Sequence, residues 1–329
     1  MGTPEFAVPI LARLIQSDYK PAAVFCAPDK PVGRKQILTP PLTKVLAQEN
    51  NIPAYQPANS HELADIMKSL SYDIVITAAY GLIFPKEVLD APQYGCLNVH
   101  PSLLPKYRGA SPIQSAILNG DSETGVTIYK MDGKVDHGPI IAQEKIQMKE
   151  ACHFERSEES RGSKATRATD IINPTNPELF QILSDLSAEL LIEILPDWLA
   201  GKITPMPQDD SLASHTKIIK KEDGQIDWQK SAKEIEQQIR AYTPWPSSFG
   251  KWQMADGKWQ ALKIIEANGI EKKYDKKVGE VFLTENGNLA IQTGSGSLII
   301  KKLQTEGGKP LNASNFLRGH KDIIGTVLN

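Results

Sequence analysis

Cysteine is scarce in this chain of 329 residues. Cys26, Cys96 and Cys152 are an odd number, widely spaced, with no CxxC pair. That pattern excludes a disulfide framework and a zinc site built on thiolates, and it suits a reducing, cytoplasmic setting. No apolar run approaches the length of a membrane span. The N-terminus lacks the basic-then-apolar pattern of a secretory leader, and Phe6 stands where a myristoylation pattern wants Ser or Thr. There is no internal repeat, and no GxGxxG follows a first strand, which removes the usual dinucleotide fingerprint. Charge of one sign is also missing. The net charge is −2, so the whole chain is not a polycation built for nucleic acid. Residues 205–329 are mildly basic, with 18 Lys and Arg against 15 Asp and Glu, which permits RNA contact without requiring it. No membrane partner is expected, and the expected state is a monomer.

What is present is an alternation of helical and strand patterns. Residues 6–16, 41–49 and 61–69 read as helices. Ala22 to Ala27 reads as a strand, and the nearly continuous apolar run from Asp73 to Tyr80 reads as a strand buried on both faces. Leu97 to His100 reads as a strand end. Ser111-Pro112-Ile113-Gln114 opens a helix with a candidate N-cap, a proline at the first position and a glutamine three residues on. Residues 124–131 and 139–146 are strand-like. Such alternation predicts an α/β domain with a Rossmann-like parallel sheet over residues 1–200. Residues 150–172 break the pattern, being rich in Ser, Arg and Glu, and read as a flexible insertion. A long helix follows from Asn176, with Leu179, Leu183, Leu186, Leu190 and Ile194 on one face; Pro196 should kink or end it. Residues 201–226 read as a linker. Residues 227–329 carry a capping box at Ser231 and Glu234 before a helix, then short strands around 261–267, 279–284, 289–293 and 297–304, the signature of a smaller OB-like β-barrel.

The informative stretch runs from Cys96 to Ile113. Asn98 and His100 are two apart on a strand, so both side chains face the same way. They stand at the C-terminal end of that strand, where open α/β sheets place ligands. Further on, Asp136 sits in a tight turn before His137-Gly138-Pro139. An amide, an imidazole and an anion together suit general acid–base and oxyanion chemistry. Taken singly, a histidine on a strand is more often a satisfied structural residue, and an aspartate before His-Gly-Pro is more often a turn-former.

Taken together, Asn98-x-His100, Ser102-Leu103-Leu104-Pro105, Arg108-Gly109-x-x-Pro112-Ile113 and Val135-Asp136-x-Gly138 resemble, in order, the signature of the formyltransferases that use 10-formyltetrahydrofolate. The resemblance implies Asn98, His100 and Asp136 as the catalytic trio, and Ser102, Leu103, Leu104 and Pro105 as part of a folate-binding wall. It implies no metal. The loop Pro28 to Lys35, the segment Ile239 to Pro246 and the segment Asn312 to His320 are similar to the branch of the family that formylates initiator methionyl-tRNA. On that likeness Arg34, with Lys35 beside it, should touch RNA. Lys217, Lys220 and Lys221 are candidate phosphate contacts on charge alone. Alternatives are an N-formyltransferase acting on an amino-sugar nucleotide and a non-catalytic RNA-binding relative.

Two departures stand out. Family members carry a short apolar strand before the Gly-Thr-Pro-Glu-Phe that here spans Gly2 to Phe6, so a start upstream of Met1 is expected. Residues 150–172 are longer than the link in relatives. Their composition cannot build a core, so deleting them should leave a folded, active protein. A folded deletion variant with no activity would overturn that expectation.

Overall fold

Burial on both faces is what an unbroken apolar run demands; the strand Val75–Thr77, in a five-stranded sheet, buries Val75 and Thr77 on one face and half-buries Ile76 on the other. The computed structural model describes residues 1–33, 35–149, 171–253 and 257–329. The expectations for Arg34, for Cys152 and for most of residues 150–172 therefore lie outside the described residues. The sheet order is Ile171–Ile172, Ile140–Lys149, Glu123–Lys130, Cys96–His100, Val75–Thr77. Val75–Thr77 and Cys96–His100 run parallel. Glu123–Lys130 then returns antiparallel beside Cys96–His100, setting Asn98 opposite Tyr129 and His100 opposite Thr127. A second parallel pair joins Val24–Phe25 to Ala54–Tyr55. Met1 and Gly2 bridge the two groups: the Ala78 N–H donates to the Met1 carbonyl at 3.0 Å and the Gly2 N–H to the Phe25 carbonyl at 2.9 Å. Beside them lies an apolar cavity of about 500 Å³ lined by Ile10, Leu14, Val24, Ile76 and Leu195.

Two expectations for this half need correction. Ile171–Ile172, read as patternless, form a short strand parallel to Met148 and Lys149. Pro196 does not end its helix, which runs from Asn176 to Leu199. The helix stops three residues later, at Leu199, so only its last turn extends past the proline. The start of this helix is fixed by a capping box between Thr175 and Glu178, a device worth about 0.5–2 kcal/mol. Its apolar face packs on the helix Ala7–Ile15, with Phe180 edge-on to Phe6 and the Ser184 hydroxyl donating to the Phe6 carbonyl at 2.7 Å.

The second part of the chain is a curled antiparallel sheet, a half-barrel, in the open order Ser248–Gln253, Trp259–Ile270, Ser297–Thr305, Leu289–Gln292, Val281–Leu283. Its core centres on Trp252, packed edge-on to Phe316 at 6.3 Å. The helix Ala232–Tyr242 opens with the Ser231–Glu234 capping box and buries Ile235 and Ile239 against that sheet. Its last turn leaves that core, and Ala241 and Tyr242 join the core of the first part.

The segment 201–226 is not a plain linker. His215–Thr216 forms a strand parallel to Arg108–Gly109, and Met206 pairs with Ile140 through two backbone hydrogen bonds. A few of its polar residues, Gln208, Asp210, Ser214 and Thr216, bond to the loop that follows Cys96–His100, while most of the others face solvent.

Leu97, next to Asn98 on the interior strand Cys96–His100, is fully buried. Leu97→Ala should cost about 2–5 kcal/mol of stability. Urea unfolding monitored by fluorescence would read it, and a loss under 1 kcal/mol would mean the core closes over the cavity.

Candidate active site

The strand Cys96–His100 delivers Asn98 and His100 to the same face, as period two requires. The chain then enters a loop, Pro101 to Arg108, that folds on itself. The Ser102 hydroxyl donates to the Lys106 carbonyl at 2.6 Å, and Thr127 on the neighbouring strand gives its hydroxyl to the Ser102 carbonyl while accepting from the Leu104 N–H. The loop ends with Tyr107 at φ +64°, an uncommon region for a residue with a Cβ. This curl brings the Tyr107 carbonyl to 3.0 Å from His100 Nε2. A carbonyl only accepts, so Nε2 carries the proton, and Nδ1 faces the Asp136 carboxylate at 3.6 Å.

Asp136 arrives on the turn between Glu123–Lys130 and Ile140–Lys149. It too is held at positive φ, +49°. Gly138 makes the turn possible, since a Cβ there would meet the Lys130 carbonyl at 1.8 Å. The carboxylate is 8% exposed and fully engaged. Oδ1 accepts from the Tyr129 hydroxyl at 2.7 Å, with Asn98 Nδ2 at 3.5 Å. Oδ2 accepts from the Gly109 N–H at 2.7 Å and faces His100. Tyr129 in turn accepts from Asn98 Nδ2 at 3.0 Å. Burial, aided by the Asp136 charge, pushes the Tyr129 phenol far above its ordinary value, so it stays a neutral donor.

The expected trio is therefore one cluster, and further residues belong to it. Gln208 donates to the backbone carbonyls of Asp136 at 3.0 Å and Gly138 at 2.8 Å, holding the turn. Its own amide oxygen accepts two bonds from Arg108. Arg108, 4% exposed, also pairs with Asp210 at 2.8 Å, and its guanidinium holds the Asp210 carboxyl below the usual range. Tyr129, Gln208 and Asp210 carry no motif that marks them. Tyr129 could have been suspected as the residue opposite Asn98, but only once the antiparallel register was known. Gln208 lies 72 residues from Asp136 in a stretch that reads as solvent-exposed.

Other expected site residues are divided. Ser102 and Leu104 are buried and hold the loop together, whereas Leu103 and Pro105 are half-buried. Lys35, Lys220 and Lys221 are exposed. The Lys217 amine is bound to Asp223, which keeps it protonated more firmly than usual. Arg34 lies outside the described residues. Among the described residues no helix is long and apolar enough to cross a membrane, and no group of three or more His, Cys, Asp or Glu could hold a metal ion.

Comparison with known proteins bears on this geometry. Residues 1–167 match the formyl transferase family and residues 218–321 its C-terminal domain. A methionyl-tRNA formyltransferase of Listeria monocytogenes is 41% identical over 323 residues, covering 97% of this chain and 94% of its own. One of Halalkalibacterium halodurans is 39% identical over 333 residues, covering 100% and 96%. The crystal structure of an N-formyltransferase from Helicobacter canadensis, in complex with folinic acid and dTDP-3-aminofucose, shares the fold with a TM-score of 0.58 at 19% identity, covering 91% of this chain and 96% of that one. The chain belongs to the formyl transferase family, among its methionyl-tRNA formyltransferases.

Proposed function

We propose that this protein transfers a formyl group from 10-formyltetrahydrofolate to the α-amine of initiator methionyl-tRNA. The observation that carries the reading is the buried cluster of Asn98, His100 and Asp136 at the C-terminal end of a sheet strand. The full-length similarity to methionyl-tRNA formyltransferases supports the acceptor. That a fold relative was crystallised with folinic acid supports a folate donor.

The chemistry follows from the groups present. The amine nitrogen attacks the formyl carbon and a C–N bond forms. The formyl oxygen becomes an oxyanion, which the Asn98 amide stabilises as a donor, joined by the His100 Nε2–H where it turns from the Tyr107 carbonyl to the oxyanion. The bond from carbon to folate N10 then breaks, N10 takes a proton, and the amine gives one up. His100, beside the Asp136 carboxylate, is the group placed to carry that proton. Burial of the cluster strengthens each of these electrostatic terms. Leu103 and Pro105 are the members of the expected folate wall with surface to offer, while Ser102 and Leu104 hold that wall in place. Residues 1–200 form the catalytic domain, residues 201–226 connect it, and residues 227–329 serve tRNA binding. Arg34, Lys35, Lys220 and Lys221 make the RNA contacts, and Lys217 joins them where a phosphate displaces Asp223. The protein acts as a monomer in the cytoplasm.

The test is formation of formyl-methionine on charged initiator tRNA. Asn98→Ala, His100→Ala and Asp136→Ala should each lower turnover by about 10²–10³, with folate affinity nearly unchanged. Unchanged turnover with weakened folate binding would reverse the assigned roles. A folded, folate-binding protein that leaves the tRNA unformylated would move the acceptor to an amino-sugar nucleotide.

Binding of tRNA should weaken linearly on a logarithmic salt scale. Replacing Lys220 and Lys221 together by alanine should flatten that slope by roughly 2. A slope that does not change places the RNA elsewhere.

A further inference from the structure

The hydrogen bonds around Asp136 have a direction, and that direction singles out Tyr129. An ionised carboxylate only accepts. The one Tyr129 hydroxyl hydrogen therefore goes to Asp136 Oδ1, at 2.7 Å. What the phenol oxygen has left is lone-pair capacity, and the group 3.0 Å away is the Asn98 side-chain amide. That amide must present its NH₂ end. Turned over, it would set its own oxygen against the phenol oxygen and near the carboxylate, three acceptors with one hydrogen among them. Such a conflict in a buried site is costly. Tyr129 itself cannot yield, since it is 2% exposed on the strand Glu123–Lys130, in register with Asn98, and burial keeps its phenol protonated.

We infer that Tyr129 is a positioning residue for the reaction: it relays the charge of Asp136 to Asn98 and locks the Asn98 amide with its nitrogen turned toward the carboxylate. This rests on the proposed formyl transfer. Nδ2 has two hydrogens. Tyr129 takes one, the same one that lies toward Asp136 Oδ1 at 3.5 Å, and thereby sets the plane and sense of the amide. The other remains for the oxyanion at a fixed position, which is the preorganisation an acyl-transfer site needs. His100 is oriented independently, by the Tyr107 carbonyl. Tyr129 thus acts on one of the two donors and leaves the other in place.

The experiment compares wild type, Tyr129→Phe, Asn98→Ala and the double variant in the formyl-methionine assay, with kcat and both KM values measured. Tyr129→Phe keeps the ring and removes the relay. Its kcat should fall by about 10- to 100-fold, with KM for folate and for tRNA within about 3-fold of wild type, the same window within which the double variant should match Asn98→Ala, since there is then no amide to lock. A purely structural role would raise KM or lower stability and would add to the Asn98 loss. Wild-type kcat in Tyr129→Phe, or a fully additive double variant, overturns the inference. Should Tyr129→Phe fail to fold, a neutron structure of the wild type decides: an Asn98 Nδ2 deuteron directed at the Tyr129 oxygen supports the relay, and Asn98 Oδ1 directed there refutes it. A wild-type protein that does not formylate the tRNA would sink the proposed function instead. In that case the crystal structures of wild type and Tyr129→Phe decide the relay, and an Asn98 side chain unmoved between them refutes it.

Discussion

A carboxylate taken almost out of water must be met by donors, and the donors that meet Asp136 come from separate parts of the chain. Tyr129 comes from the adjacent strand, Gly109 from the loop after Cys96–His100, and Asn98, more distantly, from the strand itself, with His100 facing the carboxylate at 3.6 Å. Leaving such a group unpaired would cost several kcal/mol. The arrangement of the loop, the turn and the strand register is therefore coupled through one residue. The positive φ values of Tyr107 and Asp136 belong to the same constraint: both bend the backbone so that polar groups converge on a point, a local cost sustained by the surrounding hydrogen bonds.

The connecting segment 201–226 extends this coupling. Gln208 holds the backbone of the Asp136 turn, Arg108 holds Gln208, and His215–Thr216 pairs with Arg108–Gly109. The Ser111 hydroxyl, which the sequence suggested as a helix cap, donates instead to the Lys217 carbonyl at 2.9 Å. The stretch that joins the two parts of the chain is thus built into the site. Tyr242, from the helix that serves the half-barrel, sits in the hydrophobic core of the first part as well. The second part is mechanically connected to the first through these contacts.

Much of this was legible in the residues. Helices at 41–49 and 61–69 appear as Leu42–Glu49 and Ser60–Lys68, because their apolar spacing and the Asn59 cap are local signals. The run to Tyr80 shows only Val75–Thr77 as strand, since burial rather than pairing made it apolar. The strand Ser248–Gln253 was not anticipated. It follows the Pro244-Trp245-Pro246 turn directly and carries a glycine against Trp228, so it shows no clean alternation. The mixed direction of the large sheet was equally invisible, since hydrophobic pattern does not encode strand polarity.

The sequence by itself determined the order of elements, the spacing that puts Asn98 and His100 on one face, and the motif set that marks the formyl transferases. These are short-range properties, carried by side-chain type and periodicity along a few residues. Tertiary structure alone decided that Tyr129 lies opposite Asn98, that Gln208 holds the Asp136 turn, and that the polar stretch 201–226 is ordered. Each of those depends on groups 31 to 102 residues apart satisfying one another's hydrogen bonds. A polar residue looks the same in sequence whether its partner is water or a buried carboxylate.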